Sequence, residues 1–144
     1  MNNDPYNLDR FIAAQEGIFG DVLKELENGR KQTHWMWFIF PQIDGLGFSS
    51  TTKYYAIKSL EEARQYLNHP VLGVRLLQCA GLVLAVEGKS ANEIFSSPDD
   101  LKLKSSMTLF ASVTGADPVF VRVLEKYFHG KQDERTIAFI GAIP

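Results

Sequence analysis

Helix-start chemistry constrains this chain more than any other feature of its sequence. Ser59-Leu60-Glu61-Glu62 and Ser90-Ala91-Asn92-Glu93 both have the capping-box spacing, in which a hydroxyl reaches one free amide and the later carboxylate reaches back. Ser97-Pro98 and Asp117-Pro118 each set a capping side chain before a proline at the first helical position, where the missing N–H costs nothing. Gly29, Gly88 and Gly130 follow periodic stretches and suit left-handed C-terminal caps, while Pro41 and Pro70 stop or restart helices. The spacing predicts helices near 7–28, 34–40, 50–57, 60–68, 70–87, 91–96, 98–114, 118–129 and 133–141. The run 35–40 is short enough to be a buried strand, but no partner strand lies nearby and helix is the better reading. The expected fold class is all-α.

The stretch from Pro70 to Glu87 sets the centre of that fold. Val71, Leu72, Val74, Leu76, Leu77, Leu82, Val83, Leu84 and Val86 cover nearly every azimuth at 3.6 residues per turn, and a helix apolar all round is a central one. A chain of 144 residues suits one core, and neither an internal repeat nor a low-complexity linker divides it, so residues 1–144 read as a single compact helical domain.

Composition removes several classes of function. With 45% hydrophobic residues, 22% charged and a formal charge of −2, the chain buries enough apolar surface to exclude global disorder. It lacks the basic footprint that nucleic-acid binding needs. Cys79 is the sole cysteine, so no intrachain disulfide can form, and it sits in an apolar stretch where it packs as a small hydrophobe. His34, His69 and His129 stand at no metal-ligand spacing, and neither a metal nor a cofactor is expected. The opening Met1-Asn2-Asn3-Asp4-Pro5 has no signal-peptide character and the apolar runs fall short of a membrane span, so a cytoplasmic protein with no membrane partner is expected.

Functional candidates come from polar residues on apolar faces. Leu8, Phe11, Ile12, Phe19, Val22 and Leu26 form one stripe, and Gln15 falls near its middle; an unpaired buried amide costs about 1–3 kcal/mol, so Gln15 needs an internal partner or a ligand. After Pro98, Leu103, Met107 and Phe110 define a core face shared by Asp99 and Ser106 and bordered by Lys102. Arg75 and Gln78 face the same side as Val71 and Leu82, and a buried Arg75 must find an anion, for which Asp99 is a candidate. The densest feature is Lys31-Gln32-Thr33-His34-Trp35-Met36-Trp37-Phe38-Ile39-Phe40-Pro41-Gln42, followed by Gly45-Leu46-Gly47 and the hydroxyls of Ser49, Ser50, Thr51 and Thr52. Tryptophans beside lysine, histidine and glutamine can hold a planar anionic molecule such as a nucleotide.

Plainer readings compete with each of these. Trp35, Trp37, Phe38 and Phe40 suit a core, Asp99-Asp100 suits the positive end of a helix, and Arg75, Asp99 and Gln15 can form a network that only fixes helix register. Ser105-Ser106 lacks the Gly-x-Ser-x-Gly elbow, and the chain has neither a phosphate loop nor a dinucleotide glycine fingerprint.

At His34-Trp35-Met36-Trp37-Phe38-Ile39-Phe40-Pro41-Gln42, Gly45-Leu46-Gly47-Phe48-Ser49, His69-Pro70-Val71-Leu72-Gly73-Val74-Arg75-Leu76 and the segment from Asp99 to Phe110, the chain resembles an uncharacterised bacterial family, the domain of unknown function numbered 1810. The resemblance covers about residues 9 to 137 and implies an all-helical single domain without an assigned activity. One departure is Ser96, where the family pattern often has glycine, which bears on that turn alone. Some family members carry the label calpastatin-like, implying a protease inhibitor; calpastatins are disordered and repetitive, whereas this chain has one non-repeated core and many aromatics.

The resulting expectation is a domain that binds a small anionic, partly aromatic ligand in a cleft lined by Gln15, Lys31, His34, Trp35, Trp37, Gln42, Arg75, Asp99, Lys102 and Ser106. If it is an enzyme, nucleotide or ADP-ribose processing is the class to test, with Asp99 or His34 as acid or base. The competing class is a protein-interaction module whose Trp-rich segment is core and whose partner is unknown.

Overall fold

The computed structural model describes residues 3–142. Met1 and Asn2, on which the expectation of no secretory leader partly rests, lie outside the described residues. Ten helices follow in order: α1 Asp9–Gln15, α2 Phe19–Glu27, α3 Met36–Ile39, α4 Ser50–Tyr55, α5 Leu60–Asn68, α6 Leu72–Ala85, α7 Ala91–Phe95, α8 Asp99–Ala111, α9 Val119–Phe128 and α10 Glu134–Ala142. Among the described residues the sole β pairing is an isolated parallel bridge between Ile43 and Ile57. The all-α expectation holds, including a helix at 36–39. No single described helix is long and apolar enough to cross a membrane.

Local chemistry explains most helix starts. At α7 the capping box is complete: the Glu93 amide donates to Ser90 Oγ (3.1 Å) and the Ser90 amide to Glu93 Oε1 (2.9 Å). At α5 only half of it forms. The Ser59 hydroxyl accepts from the Glu62 amide, but the Glu62 carboxylate turns away to the Lys58 amide (2.9 Å) and to Arg10. His69 starts α6, its Nδ1 accepting from the amides of Val71 and Leu72.

Two expectations need correction. The helix foreseen over 7–28 is broken, because Gly17 takes a left-handed conformation (φ +76°) that ends α1 and re-aims the chain into α2. The apolar stripe runs through the break, which is why periodicity alone conceals it. Before α8, Ser97 gives no side-chain cap; the Ser97-Pro98 peptide is cis and the helix begins at Asp99.

The core is built on α6 and α8. α2, α5 and α9 pack on α6, and α5, α7, α9 and α10 pack on α8. A line of rings, Phe11, Tyr66, Phe110 and Phe120, runs through the centre with centroids 5.1 to 5.8 Å apart, and Trp35, Phe40 and Phe95 form a second cluster. The apolar surface of α6 is not enclosed on every side: Val74 is 61% exposed and Leu77 36%. The most continuously buried helix is α8, where Leu103 and every residue from Ser105 to Phe110 are buried.

Two devices tie distant segments together. α5 and α6 meet at 90°, and a Cβ at Gly73 would lie 2.0 Å from the Leu67 carbonyl oxygen, so only glycine admits this approach. Arg10, buried beside Glu62, fills all five of its N–H donors. Nε bonds the Tyr54 carbonyl (2.8 Å), Nη1 those of Tyr6 (2.6 Å) and Asn7 (2.8 Å), and Nη2 the Ala56 carbonyl (3.0 Å) and Glu62 Oε2 (2.8 Å).

Candidate functional site

The loop that carries most of the candidate residues is moulded around one carboxylate. Glu25, buried in the last turn of α2, accepts from the amides of Gln32 (2.6 Å) and Thr33 (2.9 Å), from Thr33 Oγ1 (2.7 Å) and from Trp35 Nε1 (3.0 Å). Burial pushes its pKa up, but these donors together outweigh burial and hold it below the ordinary carboxylate value. Trp35 is therefore spoken for: the ring is 1% exposed, its edges meet Phe40 and Phe95, and its N–H is used.

Gln15 is inward-facing as its place in the stripe predicts, at 1% exposure, and its needs are met internally. Nε2 donates to the Phe38 carbonyl (2.8 Å), Oε1 accepts from Arg75 Nη1 (3.0 Å), and the side chain also shares a hydrogen bond with Tyr66. Arg75 does not pair with Asp99. Its guanidinium lies 4.9 Å from the Phe19 ring centre and donates to Gln15. Ser106 is fully buried on α8 with its hydroxyl unpartnered, and Cys79 is buried with its thiol pushed up to about 12 by desolvation, which keeps it out of the reactive thiolate form.

Four candidates from three segments do meet, at the edge of the core over α3 and the start of α8, with the Lys31 side chain 7% exposed. Lys31 Nζ is 2.9 Å from Asp99 Oδ2 and 5.0 Å from the Trp35 ring centre; Lys102 Nζ is 3.5 Å from Asp99 Oδ1 and 5.3 Å from the ring centre of half-buried Trp37. One carboxylate thus holds two ammonium groups, each above an indole, and the cluster keeps one positive charge in surplus. Lys31 is steadied further by donating to the Thr33 carbonyl. His34 is exposed in the same loop. Gln42 and Trp37 border a recess of about 10 Å³, which has room for little more than one water.

The ten residues expected around one cleft are accordingly divided. Buried Gln15 is bonded to half-buried Arg75, Trp35 and Ser106 lie in the core, Gln42 edges a tight recess, and Lys31, Asp99, Lys102 and Trp37 form a partly buried cluster with His34 in its loop. Sequence reasoning missed Arg10, Glu25 and Glu62. The available signal was their spacing: Glu25 lies three residues after Val22 on the buried face of α2, and Glu62 is at the third helical position after Ser59.

Comparison with known proteins adds family and fold. The crystal structure of a conserved hypothetical protein from Mycobacterium tuberculosis superposes with a TM-score of 0.94 at 54% identity, covering 96% of this chain and 99% of that one. Among curated proteins no relative is matched. Residues 5–140, nearly the whole length, match the protein family of unknown function DUF1810, and the chain belongs to that family.

Proposed function

We propose that this domain binds a small anionic ligand at the Lys31, Asp99 and Lys102 cluster, beside the half-buried face of Trp37. The supporting observation is the convergence of two lysines from different segments on one carboxylate, 2.9 and 3.5 Å away, with each ammonium set over an indole ring. A phosphate or carboxylate arriving there takes up the surplus charge, and a planar group attached to it can lie against Trp37. Asp99 serves as counter-ion that keeps the two lysines together; the acid or base role considered for Asp99 or His34 has no substrate-orienting geometry behind it, and binding is the reading the cluster supports.

The test is a thermal-shift and calorimetry series with pyrophosphate, AMP, NAD and ADP-ribose. A ligand at a hundredfold excess over its dissociation constant stabilises the native state by about 2.7 kcal/mol. The shift should vanish in Lys31→Ala/Lys102→Ala and shrink in Trp37→Ala. If no member of the series binds, or binding survives the double substitution, the assignment fails.

A second reading, a protein-interaction module, is favoured by the enclosure of Trp35 in the core, which leaves part of the Trp-rich segment with a structural task.

A further inference from the structure

On the far side of α8 from this cluster lies an open groove of about 710 Å³ where the chain between α9 and α10 runs past the helix. Lys102 and Lys104 are about 200° apart around a helix of 3.6 residues per turn, so the two sites face different ways. Lys104, Lys131 and Arg135 line the groove together with Asp133, Glu134 and Ile137. Among the described residues none of the three cations has an ion pair or a side-chain hydrogen bond. One of the two local acids is already committed: Asp133 Oδ2 accepts from the Thr136 amide (3.0 Å) and hydroxyl, while the Asp133 amide donates to Thr108 Oγ1 (2.9 Å) on α8. These bonds fix the groove wall to α8 and hold the Asp133 carboxylate away from the cations, so that three cations and two carboxylates leave the groove with one positive charge in excess.

We propose that this groove is a docking site for an acidic peptide segment that carries an apolar side chain. Charge complementarity selects an acidic partner, since three cations without an ion pair among the described residues outnumber the two carboxylates of the groove in a chain whose overall charge is −2. The apolar part is selected by Ile137, 39% exposed on the groove wall, and by Leu101, 59% exposed one helical turn before Lys104 on the same face of α8. A bare phosphate uses the cations and leaves both apolar side chains in water; an acidic peptide with leucine or a similar residue covers both. The groove is open and walled by long side chains, a shape suited to a strip of polypeptide more than to an engulfed small molecule.

The test is fluorescence anisotropy with a labelled peptide alternating glutamate and leucine, run beside the same peptide with lysine for glutamate, the same peptide with serine for leucine, inorganic pyrophosphate as competitor, and vesicles containing phosphatidylserine. Binding should be confined to the glutamate and leucine peptide and weaken with salt. It should fall about tenfold or more in Lys104→Glu/Arg135→Glu and severalfold in Ile137→Ser, and be untouched in Lys31→Ala/Lys102→Ala. Folding of each variant is checked by its melting curve, with Lys104→Ala/Arg135→Ala as the milder substitute. No binding, equal binding of the lysine or serine peptide, full competition by pyrophosphate, preference for vesicles, or indifference to the charge reversal would each overturn the proposal. Loss of binding in Lys31→Ala/Lys102→Ala would transfer the peptide to the other site.

Discussion

Arg10 and Asp99 are both charged residues that gather partners from distant parts of the chain, yet they do opposite things with them. Arg10 is sealed with Glu62, and each of its five donors has an acceptor, four of them backbone carbonyls. Nothing is left over for a ligand, and the arrangement pins the 6–10 segment to residues 54–62. Asp99 gathers two lysines at the edge of the core, leaves a net positive charge, and keeps one tryptophan face partly open. The lesson is that convergence alone does not identify a binding site; unspent hydrogen-bonding or charge capacity at a reachable surface does.

The contrast can be broken or sharpened by substitution. Glu62→Gln should have the largest effect, a loss of about 3–5 kcal/mol in urea unfolding, since it leaves the buried Arg10 charge without its counter-charge. Glu25→Gln should cost about 2 kcal/mol by weakening hydrogen bonds to a charged acceptor. Because the folded pKa of Glu25 lies below the ordinary value of 4.5, its contribution is fully present above that value and is lost as pH falls towards the lower folded one. Unfolding curves between pH 3 and pH 6 should therefore fall less steeply for Glu25→Gln than for the parent chain.

Nearer the open cluster, Ser96→Gly should raise stability by about 1 kcal/mol, because Ser96 holds a positive φ of 62° that glycine adopts freely. A lower midpoint would show that its side chain is needed at that turn. Asp99→Asn should cost about 1 kcal/mol, far less than Glu62→Gln, because Lys31 keeps only 7% side-chain exposure but Asp99 and Lys102 keep 21% and 26%, and it should weaken pyrophosphate binding by letting the two lysines part. A loss on the scale of Glu62→Gln would place Asp99 with the sealed interior residues and erase the distinction.

What could be read in advance follows from the range of each interaction. Capping at Ser90 and the inward turn of Gln15 depend on residues a few positions apart, so local spacing reveals them. The partners of Gln15 are Phe38 and Arg75, 23 and 60 residues away, and those of Arg10 lie up to 52 away; no local pattern encodes such meetings. The Gly17 break was hidden for a different reason, since α1 and α2 continue the same apolar stripe after the chain is redirected. At the partly buried cluster, residue type pointed to Lys31, Asp99, Lys102 and Trp37, but the ion pairing of Asp99 with lysine instead of Arg75 was a matter of which faces of α6 and α8 the packing turns towards each other.

Gly73 holds the corner between α5 and α6 by what it lacks. A methyl group there cannot be absorbed by rotating a side chain, because the obstacle is the Leu67 carbonyl oxygen itself. Even the smallest replacement must pry the right angle between α5 and α6 open, and Arg75, two residues further along, would swing away from Gln15 with it. The molecule has in effect one hinge pin that no larger part can replace, and through it the absence of a single carbon atom decides whether Arg75 meets Gln15.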